Sequence, residues 1–215
     1  MSVIIALLIG MPVPITALQI LWINMVTSIS LGLVFAFEPV YAKLMQQPPR
    51  RIDKGVFTKF LSWRVLFVSG LLVIAVLVNF QWESQRVSDI RVLRTTAVTT
   101  LFIGQIGYLF NCRDLRHNST LRGYFLGNNA IYLGILCGTV LQVIFIYALP
   151  FQYVFQTRPI DGIAWGKVLM WGVAIFFLVE FEKLLDNIKH KLFGRVPDNV
   201  DAMLSGTIPP EDDLA

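Results

Sequence analysis

The stretch from Pro14 to Pro39 reads PITALQILWINMVTSISLGLVFAFEP, and from Ile15 to Phe37 it contains no charged residue. A bilayer core needs about 20 such residues in a helix, so this segment is long enough to cross. Several polar side chains interrupt it. Asn24, Thr27 and Ser28 stand at i, i+3 and i+4, which puts their oxygens on one helical face near the middle of the span. Polar groups at that depth face a partner helix or a water-filled cavity. Upstream, Ser2 to Met11 is apolar but too short to span, and Pro12 and Pro14 remove backbone donors and favour a break. A chain that starts part-way through an apolar helix is expected to be a truncated piece of a larger bundle.

Further along the chain, the same length criterion selects Phe60 to Phe80, Thr95 to Asn111, Ala130 to Phe151 and Ile163 to Phe181. The expected fold is therefore all-α: a polytopic transmembrane helix bundle with five complete spans plus the end of a sixth. Composition agrees. With 55% hydrophobic and 15% charged residues over 215 positions and a mean hydropathy of +0.65, the chain has too little polar surface to cover a soluble domain. Its net charge of +4 could suggest nucleic acid, but the basic residues sit in short runs between apolar segments rather than along one face. They read as topology signals. One set of loops carries Lys43, Arg50, Arg51, Lys54, Lys59, Arg64, Arg113, Arg116, Arg122, Lys183, Lys189, Lys191 and Arg195; the other carries only Arg86, Arg91, Arg94, Arg158 and Lys167. This bias places the Tyr41 to Lys54 loop, the Arg113 to Arg122 loop and the C-terminus in the cytoplasm.

The remaining signals are mostly structural. Cys112 and Cys137 form no disulfide framework, and His117 and His190 lack metal-ligand spacing. Asn118-Ser119-Thr120 matches a glycosylation acceptor but faces the cytoplasm, where that modification is not made. Trp63, Trp82, Trp165, Tyr41 and Tyr153 lie near span ends as interfacial anchors. Gly104 and Gly107 allow close helix approach. No carboxylate falls near the middle of a complete span: Glu38 sits at a helix end, and Glu180 and Glu182 lie near Lys183, where a surface pair is expected. Residues 1–184 form the membrane domain and 185–215 a cytoplasmic tail. After the last span Leu184, Leu185, Ile188 and Leu192 recur at helical spacing among lysines, as a helix along an anionic leaflet or a continuation of that span. Past Val196 it is acidic, proline-containing and expected to be disordered.

The Pro14 to Pro39 segment resembles the sixth transmembrane helix of type II P-type cation-transporting ATPases, where a pattern of the form PVQLLWVNLVTDGLPA precedes a cytoplasmic acidic-Pro turn. Pro48-Pro49-Arg50 in the next loop and Phe110-Asn111-Cys112-Arg113 at the end of the third span add to the likeness. It covers roughly Ser2 to Leu185, as family helices six to ten in the C-terminal transmembrane domain. The resemblance implies a pump in which a cytoplasmic aspartate is phosphorylated by ATP while membrane helices alternate access to an ion site. The sequence contains no D-K-T-G motif, so the chain is expected to be no enzyme in isolation and to carry no catalytic residue. ATP and magnesium would act only through the missing N-terminal part of the pump.

By the same resemblance, Asn24, Thr27, Ser28 and Gln105 are the candidate ion-binding residues, for a monovalent or divalent cation whose identity stays open. Two departures stand out. Ser28 occupies the family's Asp position and Ile29 its Gly, so an anionic donor is lost and calcium specificity is not carried over. Gln105 has a competing reading as an interhelical hydrogen-bonding residue. Beyond the cation, the expected partners are the lipid bilayer and the rest of the pump, not nucleic acid, and the expected location is a bacterial inner (plasma) membrane. Two other readings remain: a motor-less structural or regulatory membrane protein derived from such a pump, which Ser28 and Ile29 favour, and an independent small channel or carrier, for which the scattered amides and hydroxyls form no self-contained pathway.

Overall fold

The computed structural model describes residues 2–32, 59–112 and 129–192, with side chains over 2–32, 62–111 and 131–185. Expectations for the two basic loops, for His117 and for the tail beyond Leu192 lie outside these residues. The described residues form helices only: α1 (Ser2–Leu8), α2 (Ala17–Thr27), a π-helical segment (Ser28–Gly32), α3 (Lys59–Ser84), α4 (Ile90–Cys112), α5 (Asn129–Tyr147), α6 (Leu149–Phe155) and α7 (Gly162–Leu192).

The break after α1 is a glycine C-cap. Gly10 adopts φ 78°, its N–H donates to Leu7 O at 3.1 Å and that of Met11 to Ala6 O at 2.9 Å, satisfying carbonyls the helix end would orphan. Pro12 and Pro14 then keep the chain non-helical until Thr16, which starts α2 with a capping box: Thr16 Oγ1 accepts from Gln19 N, and Gln19 Oε1 accepts from Thr16 N at 3.1 Å. The Gln19 amide also donates to Phe155 O at 3.1 Å, so one buried side chain both starts α2 and fastens it to the end of α6.

α4 is the helix on which the others pack, most extensively α7 and then α3. Its N-terminal half carries Thr95, Thr96, Thr99 and Thr100, all fully buried, which an apolar surround tolerates because each hydroxyl donates to the carbonyl four residues back. Farther along, Gly107 lets the backbones of α4 and α7 touch: a Cβ there would lie 2.6 Å from the carbonyl oxygen of Gly172. At Gly104 it would meet Leu72 of α3 and Ile175 of α7. The close-approach role expected of these glycines is what the packing shows. α3 and α7 are also clasped at both ends, by Arg64–Glu182 and by Glu83–Lys167, so they run antiparallel. Against α2, an aromatic cluster centres on Trp22, stacked on Phe145 at 5.2 Å and flanked by Phe151 and Phe155.

Among the described residues two helices, over Ser62–Ser84 and Gly162–Leu185, are long and apolar enough to cross a membrane alone. α5 and α6 qualify together but are bent by 77°. The expected span from Ala130 to Phe151 is therefore two helices. Pro150 has no N–H to donate to the Ile146 carbonyl, which instead takes the Gln152 amide at 2.9 Å, while the Phe145 carbonyl takes the Thr157 hydroxyl. α2 with the π segment accounts for Ala17–Gly32 of the expected first span, and the remainder lies outside the described residues. α4 is 23 residues long, but its arginines and threonines make it the least apolar of the longer helices. α7 runs unbroken to Leu192.

Gly107→Val is expected to force α4 and α7 apart and destabilise the bundle by about 1–3 kcal/mol or more, since a backbone atom cannot rotate out of the way. Thermal unfolding in detergent measures this; an unchanged midpoint would contradict the close packing.

Candidate functional site

α2 does not end at Thr27. The Ser28 N–H is shared between the carbonyls of Asn24 and Met25, four and three residues back, and from Ser28 the chain widens into a π turn that runs to Gly32. Such turns recur at functional sites, because the changed ladder redirects carbonyls and side chains. Two hydroxyls bond back into it, Thr27 Oγ1 to Ile23 O at 2.8 Å and Ser30 Oγ to Val26 O at 2.5 Å. Ser30 also packs at Gly138 of α5, where no Cβ would fit.

The four candidate ligands divide between two environments. Trp22, Ile23, Val26 and Ser30 form the buried face of α2 and the π segment, which leaves Asn24 and Ser28 exposed on the opposite side and Thr27 half-buried between. Gln105 lies on α4 with Val98, Phe102 and Leu109 at i−7, i−3 and i+4, the face whose apolar members pack with Val26 and Leu31. Its Oε1 is buried and has no hydrogen-bond partner. By helical spacing Gln105 thus shares the α4 face whose apolar residues cluster with Val26 and Leu31. None of the four side chains hydrogen-bonds another, and Asn24 and Ser28 are uncovered within this chain. Among the described residues no group of three His, Cys, Asp or Glu side chains is placed to hold a metal, and the four candidate side chains are all neutral.

Other buried polar groups escaped the sequence reading. Asn79 Nδ2 donates to Thr100 Oγ1 at 2.6 Å and Gln142 Nε2 to Thr99 Oγ1 at 3.2 Å, joining α3 and α5 to the threonine face of α4; like Gln105, both amides keep a buried carbonyl oxygen without a partner. The run Thr95-Thr96-Ala97-Val98-Thr99-Thr100 was the available signal. Glu83 is fully buried between Lys167 Nζ at 2.7 Å and Arg86 Nη1 at 2.9 Å, with Lys167 over the Trp82 ring at 5.1 Å. The expected surface pairing at Glu180, Glu182 and Lys183 is corrected: Lys183 is only 5% exposed and reaches Asn111 Oδ1 at 3.1 Å as well as Glu180, while Glu182 pairs with buried Arg64. Spacing along one helix could not show this, because the partners come from α3 and α4.

The family model described as "Cation transporting ATPase, C-terminus" matches residues 12–185. Similar relatives include the "Probable cation-transporting ATPase F" of Mycobacterium tuberculosis, 37% identical over 184 residues, covering 86% of this chain and 20% of that protein. The "Cation-transporting ATPase pma1" of Synechocystis sp. is 33% identical, covering 79% of this chain and 19% of its own. The "Calcium-transporting ATPase" of Bacillus subtilis is 27% identical, covering 81% and 19%. The chain spans about a fifth of the length of these relatives.

Outside the spans, Asp161 accepts from Arg86 and caps α7 by accepting from Ala164 N at 3.0 Å. The Arg86 hydrogen bond, then the cap, holds the Asp161 carboxyl below its ordinary 3.8. A depressed carboxylate stabilises the fold fully above that ordinary value and loses its contribution as pH falls through the lower folded value. Asp161→Asn is therefore expected to lower the unfolding midpoint at neutral pH and to converge with wild type as pH drops below 3.8. A gap that persists in acid would contradict the pairing.

Proposed function

Because the chain belongs to the cation-transporting ATPase C-terminus family, with the match covering residues 12–185, we propose that it forms the membrane part of an ATP-driven P-type cation pump and contributes part of the ion-translocation pathway. In this reading it supplies five spans and the end of a sixth, in a bacterial plasma membrane with the C-terminus in the cytoplasm. ATP hydrolysis, aspartate phosphorylation and magnesium belong to residues outside these 215.

The observation that carries the ion-path reading is the buried, unpartnered Gln105 Oε1 on the α4 face turned toward the α2–π element. A buried acceptor left unmade costs about 1–3 kcal/mol, and a cation relieves it by taking that oxygen as a ligand. Asn24 and Ser28 stay exposed on α2 although apolar residues surround them, which suits a face covered by other helices of the whole pump. Asn24 and Thr27 on α2 and Gln105 on α4 line the path at separate points, since they lie on different sides of α2, with Ser28 a weaker hydroxyl donor. All four are neutral, so a divalent cation requires carboxylates beyond these four residues, whereas a monovalent cation is less demanding. The relatives' names mention cations generally and, in several cases, calcium; Ser28 argues against transferring calcium here. A second reading, a structural or regulatory protein derived from a pump, draws on Ser28 and Ile29 and on the helix remaining wound through both.

In the whole pump, replacing Asn24, Thr27 and Gln105 together by Ala is expected to raise the cation concentration for half-maximal phosphorylation about tenfold or more, about 1.4 kcal/mol at the minimum. An unchanged cation dependence would remove these ligands. Absence of cation-stimulated phosphorylation in wild type would favour the second reading.

A further inference from the structure

Arg64 lies near the start of α3 with its side chain 1% exposed. Its Nη1 donates to Glu182 Oε2 of α7 at 2.8 Å, while Nε and Nη2 are buried and have no partner. Those two nitrogens form the side of the guanidinium whose parallel N–H bonds fit two oxygens of one carboxylate or phosphate. Glu182 thus occupies one corner of the fork and leaves the entire two-donor edge unused. A buried cation in that condition is costly, and the strongest relief is an oxyanion.

The surroundings select the source of that anion. Trp63, Val65 and Leu66 next to Arg64 are more than half exposed, and Leu178 and Leu185, one turn either side of Glu182, are each 43% exposed. Such a surface faces acyl chains. Exposure at the pair lies on Glu182, which is 15% exposed, while Nε and Nη2 are themselves covered, so a headgroup reaches that edge only when the side chains over it move aside. The sequence just before Arg64 carries Arg50, Arg51, Lys54 and Lys59, a concentration that attracts anionic lipid. We infer that the Nε–Nη2 edge of Arg64, between α3 and α7, is a binding site for the phosphate headgroup of an anionic phospholipid. The lipid completes the hydrogen bonding of Arg64 and reinforces the clasp that Arg64 and Glu182 form at that end of the two helices. The site is separate from the candidate ion ligands and does not depend on ATP-driven transport.

The test is native mass spectrometry of the delipidated protein in detergent, titrated with phosphatidylglycerol, with diacylglycerol of the same chains, or with inorganic phosphate. Wild type is expected to retain a phosphatidylglycerol that Arg64→Gln binds about tenfold more weakly or worse. Diacylglycerol should not be retained and inorganic phosphate should not displace the lipid. Arg64→Lys, which keeps the charge but loses the two-donor edge, should also bind weakly. Glu182→Gln leaves the edge in place and removes a competing negative charge, so it should hold the lipid at least as tightly; this variant decides the matter if Arg64→Gln does not fold. Equal retention by Arg64→Gln, wild-type retention by Arg64→Lys, loss in Glu182→Gln, or displacement by inorganic phosphate would each overturn the proposal.

Discussion

The contact on which the bundle depends is the approach of α4 to α7 at Gly107 and Gly172, where backbone meets backbone. In lipid there is no hydrophobic force to press helices together, so association rests on close packing and internal hydrogen bonds. Small residues supply the first here. They allow Leu72, Ile175 and Ile103 to close over the seam, and they fix the rotation of α4 about its axis. Once that rotation is fixed, the threonine face meets Asn79 and Gln142, and Val98, Phe102 and Leu109 meet α2 and the π segment. The placement of Gln105 follows from the same rotation.

Polar groups are then arranged by where they can be satisfied. Threonine hydroxyls disappear into their own helix, while charges gather at the two ends of the α3–α7 pair, Glu83 with Lys167 and Arg86 at one end, Arg64 with Glu182 at the other. Between these ends the buried amides retain carbonyl acceptors on Asn79, Gln105 and Gln142. Buried acceptors left without a partner are unusual. On the α2–π side they coincide with a change of helix type, which gives that region its claim to function.

Much of this was legible in the sequence. The apolar runs located α3 and α7, the T-x-x-Q box at Thr16 and Gln19 is visible as letters, and Gly104 and Gly107 announced a tight interface. The motif around Asn24 gave the family, and the family match gave it independently. Less legible was whatever needs a second helix. Pro150 could have warned that the run from Ala130 to Phe151 bends, but length and hydropathy alone read straight through it. Lys183 looked like a surface residue because its neighbours in sequence are acidic, whereas Asn111 on α4 and the burial around it decide its role. The π turn has no letter-level signature, since its residues Ser28 to Gly32 are also compatible with an α-helix.

The central claim is that the Asn24 face of α2 borders the cation path. It is tested most directly by placing a single cysteine at position 24 in the whole pump, with Cys112 and Cys137 replaced, and following its modification by a membrane-impermeant thiol reagent. The account predicts that the cysteine reacts and that the transported cation slows the reaction in a concentration-dependent way. Modification at the same rate with and without the cation, or no modification under any condition, would contradict it.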